Sequence, residues 1–212
     1  MEEETSVKKR SKRFILAAGA LWLLAVGGGT AMLWKYASTS GVSGNVPSQW
    51  PQESSIRPSK GLAALVMLAH PKCPCTRASI GELAWIMTHA QNKTRAYVLF
   101  LKPVGFPDDW EKTDLWQSAS AIPGVTALAD SNGLEAKRFN VQTSGHTILY
   151  DAEGKLVFSG GITAARGHSG DNAGRDAIVS FLNDGKKPQS QAPVFGCSIV
   201  NPKGTLIEKD KS

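Results

Sequence analysis

The 212 residues (22.6 kDa) are 42% hydrophobic and 20% charged, the balance of a folded domain with appendages rather than of a disordered chain. Net charge is +6, of which residues 1–13 supply +2 through five Lys/Arg against three Glu. The remainder is spread without a long basic run, so no nucleic-acid surface is indicated. Three cysteines are too few for a disulfide-built scaffold.

In chain order, residues 1–13 read as a basic cytoplasmic tail, "KKRSKR" included. Residues 14–34, "FILAAGALWLLAVGGGTAMLW", run for 21 positions without a charge. As a helix that is roughly 31 Å, one bilayer core. Basic residues before the span and Trp34 and Tyr36 after it predict an uncleaved, single-pass anchor in the cytoplasmic (inner) membrane. The N-terminus then stays inside and the rest is extracytoplasmic, periplasmic or its equivalent. A cleaved signal peptide is the competing reading and sends the domain to the same compartment. Residues 35–60 are rich in Ser, Gly and Pro and are expected to form a flexible linker.

The globular pattern spans residues 61–185. "LAALVMLAH" (62–70) is a continuous apolar run, expected of a strand covered on both faces. Ile80, Leu83, Ala84 and Met87 repeat at helical spacing after it, and "RAYVLFLKP" (95–103) is a second buried strand. Asp108 or Asp109 is expected to cap a short helix through Ser120. A strand over 124–130, a helix over 132–139, strands over 146–151 and 155–161, and a helix over 172–184 capped by Asp171 or Asn172 complete the order. Residues 186–212 form a tail that carries Cys197 and frays. This β-α-β-(α)-β-α-β-β-α order implies an α/β fold: a mixed sheet sandwiched by helices.

Cys73-Pro74-Cys75 sits between the first core strand and its helix. Helix N-termini present unpaired N–H groups and partial positive charge, which favour thiolate, and Lys72 and Arg77 are close in sequence. Cys73 precedes the helix, so it is expected to be the more exposed and more reactive thiol. Residues i and i+2 reach at most roughly 7 Å apart, so a Cys73–Cys75 disulfide is a constrained small ring. A pairing of Cys197 with either cysteine as a structural staple is the alternative.

The element order, with "HPKCPCTRAS" at the active-site turn, "GHTILYDAEGKLVFSGG" at the closing hairpin and "GDNAGRDAIVSFL" as last helix, resembles the thioredoxin-like superfamily over residues 61–185. It looks most similar to membrane-anchored bacterial thioredoxins, RedB-type proteins and the Sco copper proteins. The resemblance implies thiol–disulfide exchange, with Cys73 attacking a partner disulfide and Cys75 resolving, or Cys197 resolving if the tail folds back. It requires no cofactor. Partners would be other extracytoplasmic proteins with disulfides.

The chain departs from thioredoxins in having one residue between the cysteines and His146 where they carry a cis-proline. Sco proteins carry a histidine in about that place, which implies the alternative of a copper chaperone or sensor using Cys73, Cys75 and His146, a soft donor set, and delivering to proteins with copper sites. In this fold the loop 160–171 borders the site and brings Arg166 and His168 near the sulfurs, while His70, just before the motif, tunes the thiols. A non-redox interaction domain is the third reading.

Overall fold

Strand β1, Ala63–Ala69, is buried along its whole length, which explains why its sequence shows no polar alternation. In the computed structural model, which describes residues 2–186 and 189–199, β1 is central to a six-stranded sheet ordered β3-β2-β1-β4-β5-β6. Strands β2 (Thr94–Lys102) and β3 (Val125–Ser131) run parallel to β1 and continue outward from it. On its other side β4 (His146–Tyr150) is antiparallel, with Leu68 opposite His146, and β5 (Leu156–Gly160) closes the hairpin. A two-residue strand β6, Gln191–Ala192, adds to β5 in parallel and is absent from the sequence-based expectation.

Alternating side chains of β1 enter two cores. Leu65 and Met67 pack with Ile80, Leu83, Ile86 and Met87 of helix α2 (Pro74–His89). The same layer holds Leu115 and Ala119 of α3 (Asp114–Ser120) and Ala177 and Ile178 of α5 (Ala173–Asp184). Val66 and Leu68 face the opposite layer, with Ile148, Tyr150, Phe139 and Ala136 of α4 (Leu134–Arg138). Each fully buried Leu, Ile or Met contributes about 1.5–3 kcal/mol, so this two-sided burial fixes the register of β1.

Two expectations need correction. The first is the flexible linker. A five-residue α4 is too short to cover its face of the sheet, and part of the 35–60 segment completes the cover. Val46, Trp50 and Ile56 pack into that layer, and the Trp50 ring stands edge-on to Phe139 and Tyr150, each with centroids 5.3 Å away. Ser54 Oγ and Ser55 N–H donate to the Glu135 carboxylate at 2.7 and 3.0 Å. The second is the helix expected from Asp108 or Asp109. It starts only at Asp114, because Asp109 adopts a left-handed φ of 67° that no helix accommodates.

Helix α1, Glu2–Ser38, forms a unit of its own, separate from Thr39–Ser212. Its residues 13–38 are long and apolar enough to cross a bilayer, and none of that stretch is buried. Of the expected tail, residues 187–188 and 200–212 lie outside the described residues, as does Met1 of the basic segment.

Candidate thiol site

Cys73 is the N-cap of α2, with extended backbone (φ −88°, ψ 118°) and Pro74 in the first turn. Proline is preorganised for that position and lacks the N–H that would go unpaired there. The geometry leaves the helix N-terminus facing the sulfur. Thr76 N–H donates to the Cys73 carbonyl at 3.0 Å, and Cys73 N–H to the His70 carbonyl at 3.1 Å, which closes the turn at the end of β1.

The third cysteine completes the site. Cys197 Sγ lies 2.7 Å from Cys73 Sγ, across 124 residues of sequence. The Cys197 thiol against its sulfur, opposed by burial and aided by hydrogen bonds from the Cys197 backbone and from Thr76, pulls the Cys73 pKa down to about 4. The same contact, with burial and the Cys73 charge, pushes Cys197 well above the ordinary thiol range. Cys75 is raised by burial first and by the Cys73 anion second, with Arg166 acting in the opposite direction. Of the three sulfurs Cys73 is therefore the one that gives up its proton most readily, while Cys75 and Cys197 hold theirs.

This arrangement corrects the expected exposure order. Cys73 is 1% exposed and Cys75 7%, because the tail lies over Cys73. It also reveals supporting residues that sequence reasoning missed. Ser144 Oγ accepts from His70 N–H at 2.8 Å and shares a 2.8 Å hydrogen bond with Thr76 Oγ1, so the loop before β4 is pinned to the first turn of α2. Both side chains are buried. A serine and a threonine at these positions carry no signal in a single sequence.

The other expected site residues divide. His70 has its pKa lowered by burial and raised by Cys73, so it lies in the field of the thiolate. Arg166, on the loop after β5, donates to the Gly196 carbonyl at 2.5 Å and acts on Cys75 and Cys197. Arg77 instead forms an ion pair with Asp114, at the wall of an open hollow of about 280 Å³ beside Cys73 and Lys72. His168 is exposed and bonds to the Arg166 carbonyl at 2.9 Å.

His146 is the main departure from the expected set. It begins β4, where alternation places it on the face of Ile148 and Tyr150, away from the layer of α2. Its Nε2 pairs with Ser159 Oγ of β5 at 2.8 Å, and Nδ1 has no hydrogen-bond partner among the described residues. Burial alone lowers its pKa to about 4, so the ring is neutral. Among the described residues, no three Cys, His, Asp or Glu side chains are arranged to hold a metal ion. His146 thus lies on the layer opposite α2, whose first turn carries Cys73 and Cys75, and spends its Nε2 on Ser159.

Three parallel strands, an antiparallel hairpin at the other side of β1 and a helix springing from the cysteine turn decide the architecture. The domain has the thioredoxin-like fold. No family model matches the sequence, and no curated protein matches it. Solved structures do. An uncharacterized conserved protein from Geobacillus kaustophilus is 18% identical, with a TM-score of 0.56 over 78% of this chain and 94% of that one. A hypothetical protein from Sinorhizobium meliloti is 20% identical, with a TM-score of 0.55 over 77% and 96%. A secreted disulfide oxidoreductase from Mycobacterium tuberculosis aligns more loosely, at 16% identity and a TM-score of 0.41 over 58% and 81%.

Proposed function

We propose that the protein is a membrane-anchored, extracytoplasmic thiol–disulfide exchange protein whose working pair is Cys73 and Cys197. The observation that carries this reading is the Cys73 sulfur, placed at a helix N-cap and 2.7 Å from Cys197 Sγ. A low thiol pKa makes Cys73 an anion at neutral pH, the form that attacks disulfides.

The Cys73 thiolate attacks one sulfur of a partner disulfide. That S–S bond breaks, a Cys73–partner bond forms, and the other partner sulfur leaves as thiolate. Loss of the negative charge on Cys73 removes two of the causes that hold the proton on Cys197. Cys197 then gives its proton to solvent and attacks Cys73 Sγ. The mixed disulfide breaks, the partner departs as a dithiol, and a Cys73–Cys197 disulfide remains. Two electrons pass from this pair to the partner, and the reverse sequence oxidises a dithiol. Cys75 stays a neutral thiol in this cycle, a change from its expected resolving role.

The apolar helix α1 supports anchoring, with the domain outside the cytoplasmic membrane and extracytoplasmic proteins with disulfides as partners. In detergent micelles, the reduced full-length chain is expected to reduce glutathione disulfide and insulin. Cys73→Ser abolishes both reactions, whereas Cys75→Ser retains most of the rate. Equal rates for wild type and Cys73→Ser would overturn the assignment.

A further inference from the structure

The segment that brings Cys197 to the site is extended and held by an isolated antiparallel bridge. Ser144 N–H donates to the Cys197 carbonyl and Ile199 N–H to the Gln142 carbonyl, both at 2.8 Å, in an antiparallel bridge centred on Thr143 and Ser198. Upstream, Gly41 N–H donates to the Val194 carbonyl at 2.8 Å. Val194 and Ile199 are buried at the two ends of the segment, and Arg166 holds the Gly196 carbonyl. With this strand in place Cys73 is 1% exposed, and the hollow lined by Lys72, Arg77 and Asp114 is its one described opening, too small for an extended protein segment to pair beside it.

We propose that residues 194–199 occupy, in cis, the docking groove of the partner: an extended segment of the partner carrying Gly-Cys displaces this strand from Gln142–Ser144, and the strand returns to release the product. The inference rests on the exchange reading above. Main-chain pairing with Gln142 and Ser144 gives such a segment its binding energy, as in β-strand addition to an exposed edge.

Side-chain space sets its sequence. A Cβ at Gly196 would lie 1.9 Å from the Ser144 carbonyl oxygen, so the residue before the reacting cysteine must be glycine for the strand to seat. Ile199, two residues after the cysteine, fills an apolar site shared with the sheet's second layer. The partner therefore presents Gly-Cys-x-apolar in extended form. The returning tail then serves two ends at once: Cys197 resolves the mixed disulfide while its backbone retakes the hydrogen bonds the partner held.

The probe is the peptide Val-Phe-Gly-Cys-Ser-Ile, activated at cysteine as the thionitrobenzoate disulfide, beside a copy with valine for glycine. Release of thionitrobenzoate is followed with the full-length reduced chain in micelles. Gly196→Val detaches the resident strand and is expected to react with the glycine peptide at least about tenfold faster than wild type, the change that ~1.4 kcal/mol of weaker docking produces. Ile199→Asn, which loosens the strand from its other end, is expected to accelerate the reaction as well, and both variants discriminate against the valine peptide. Unchanged rates in both variants, or equal rates for the two peptides, overturn the docking proposal if Cys73 still consumes glutathione disulfide. If Cys73 is inert to glutathione disulfide and peptide alike in every variant, the exchange reading falls and this one falls with it.

Discussion

At the level of single side chains, the reactivity of Cys73 depends on what donates to its sulfur. Helix N-termini lower thiol pKa values generally, but here the largest contribution comes from a thiol brought in by the tail. Ultraviolet thiolate absorbance of the reduced protein is therefore expected to show one thiolate persisting below neutral pH and protonating near pH 4. The step is absent in Cys73→Ser and moves to higher pH in Cys197→Ala. An unmoved midpoint in Cys197→Ala would assign the effect to the helix end alone. Cys73 and Cys75 were legible in sequence because a strand-to-helix turn with cysteines is a local pattern. His146 was legible only as a residue type near the turn; which face of β4 it occupies depends on strand register. Thr76 and Ser144 were not legible, since their role exists only through a hydrogen bond between distant segments.

Among elements, a buried ion pair ties α2 to α5 and to the end of the loop that carries Arg166. Glu82 of α2 accepts from Arg175 Nη1 of α5 at 3.0 Å and from Gly170 N–H of the loop at 2.7 Å. Arg175 also reaches Asp171 at 2.6 Å and stacks its guanidinium 4.1 Å from the Trp85 ring. Both Glu82 and Arg175 are buried; removing Glu82 leaves Arg175 its contacts to Asp171 and Asp176 but frees the Gly170 N–H and unties α5 from α2. Glu82→Ala is expected to cost ~1.5–3 kcal/mol in urea unfolding, through loss of its hydrogen bonds from Arg175 and Gly170, and to slow glutathione disulfide turnover through a looser Arg166 loop. A loss below ~1 kcal/mol, the range of exposed pairs, would show that the pair does not brace the site. Nearly every regular element was legible within a residue or two because apolar periodicity reports burial directly. The 46–56 cover and β6 were not, because irregular segments hold the domain by isolated anchors such as Trp50 rather than by a repeat.

Across the whole molecule, the two chain regions flanking the core come together on it. Residues 41–56 cover one layer and share a hydrogen bond with the tail at Val194, and residues 191–199 extend the sheet and then turn over the cysteine turn. A tail rich in Lys, Gln and Pro reads as a fraying end in sequence, yet Val194, Cys197 and Ile199 give it three points of attachment. This return of the tail separates an exchange pair within Cys-Pro-Cys from one closed by Cys197. The most direct test is a disulfide map. The reduced full-length chain is treated with one equivalent of glutathione disulfide, quenched with an alkylating agent, digested and read by mass spectrometry. A Cys73–Cys197 linked peptide is expected as the main product, with Cys75 alkylated. A Cys73–Cys75 link, or glutathione retained on Cys73 with Cys197 alkylated, would contradict this pairing.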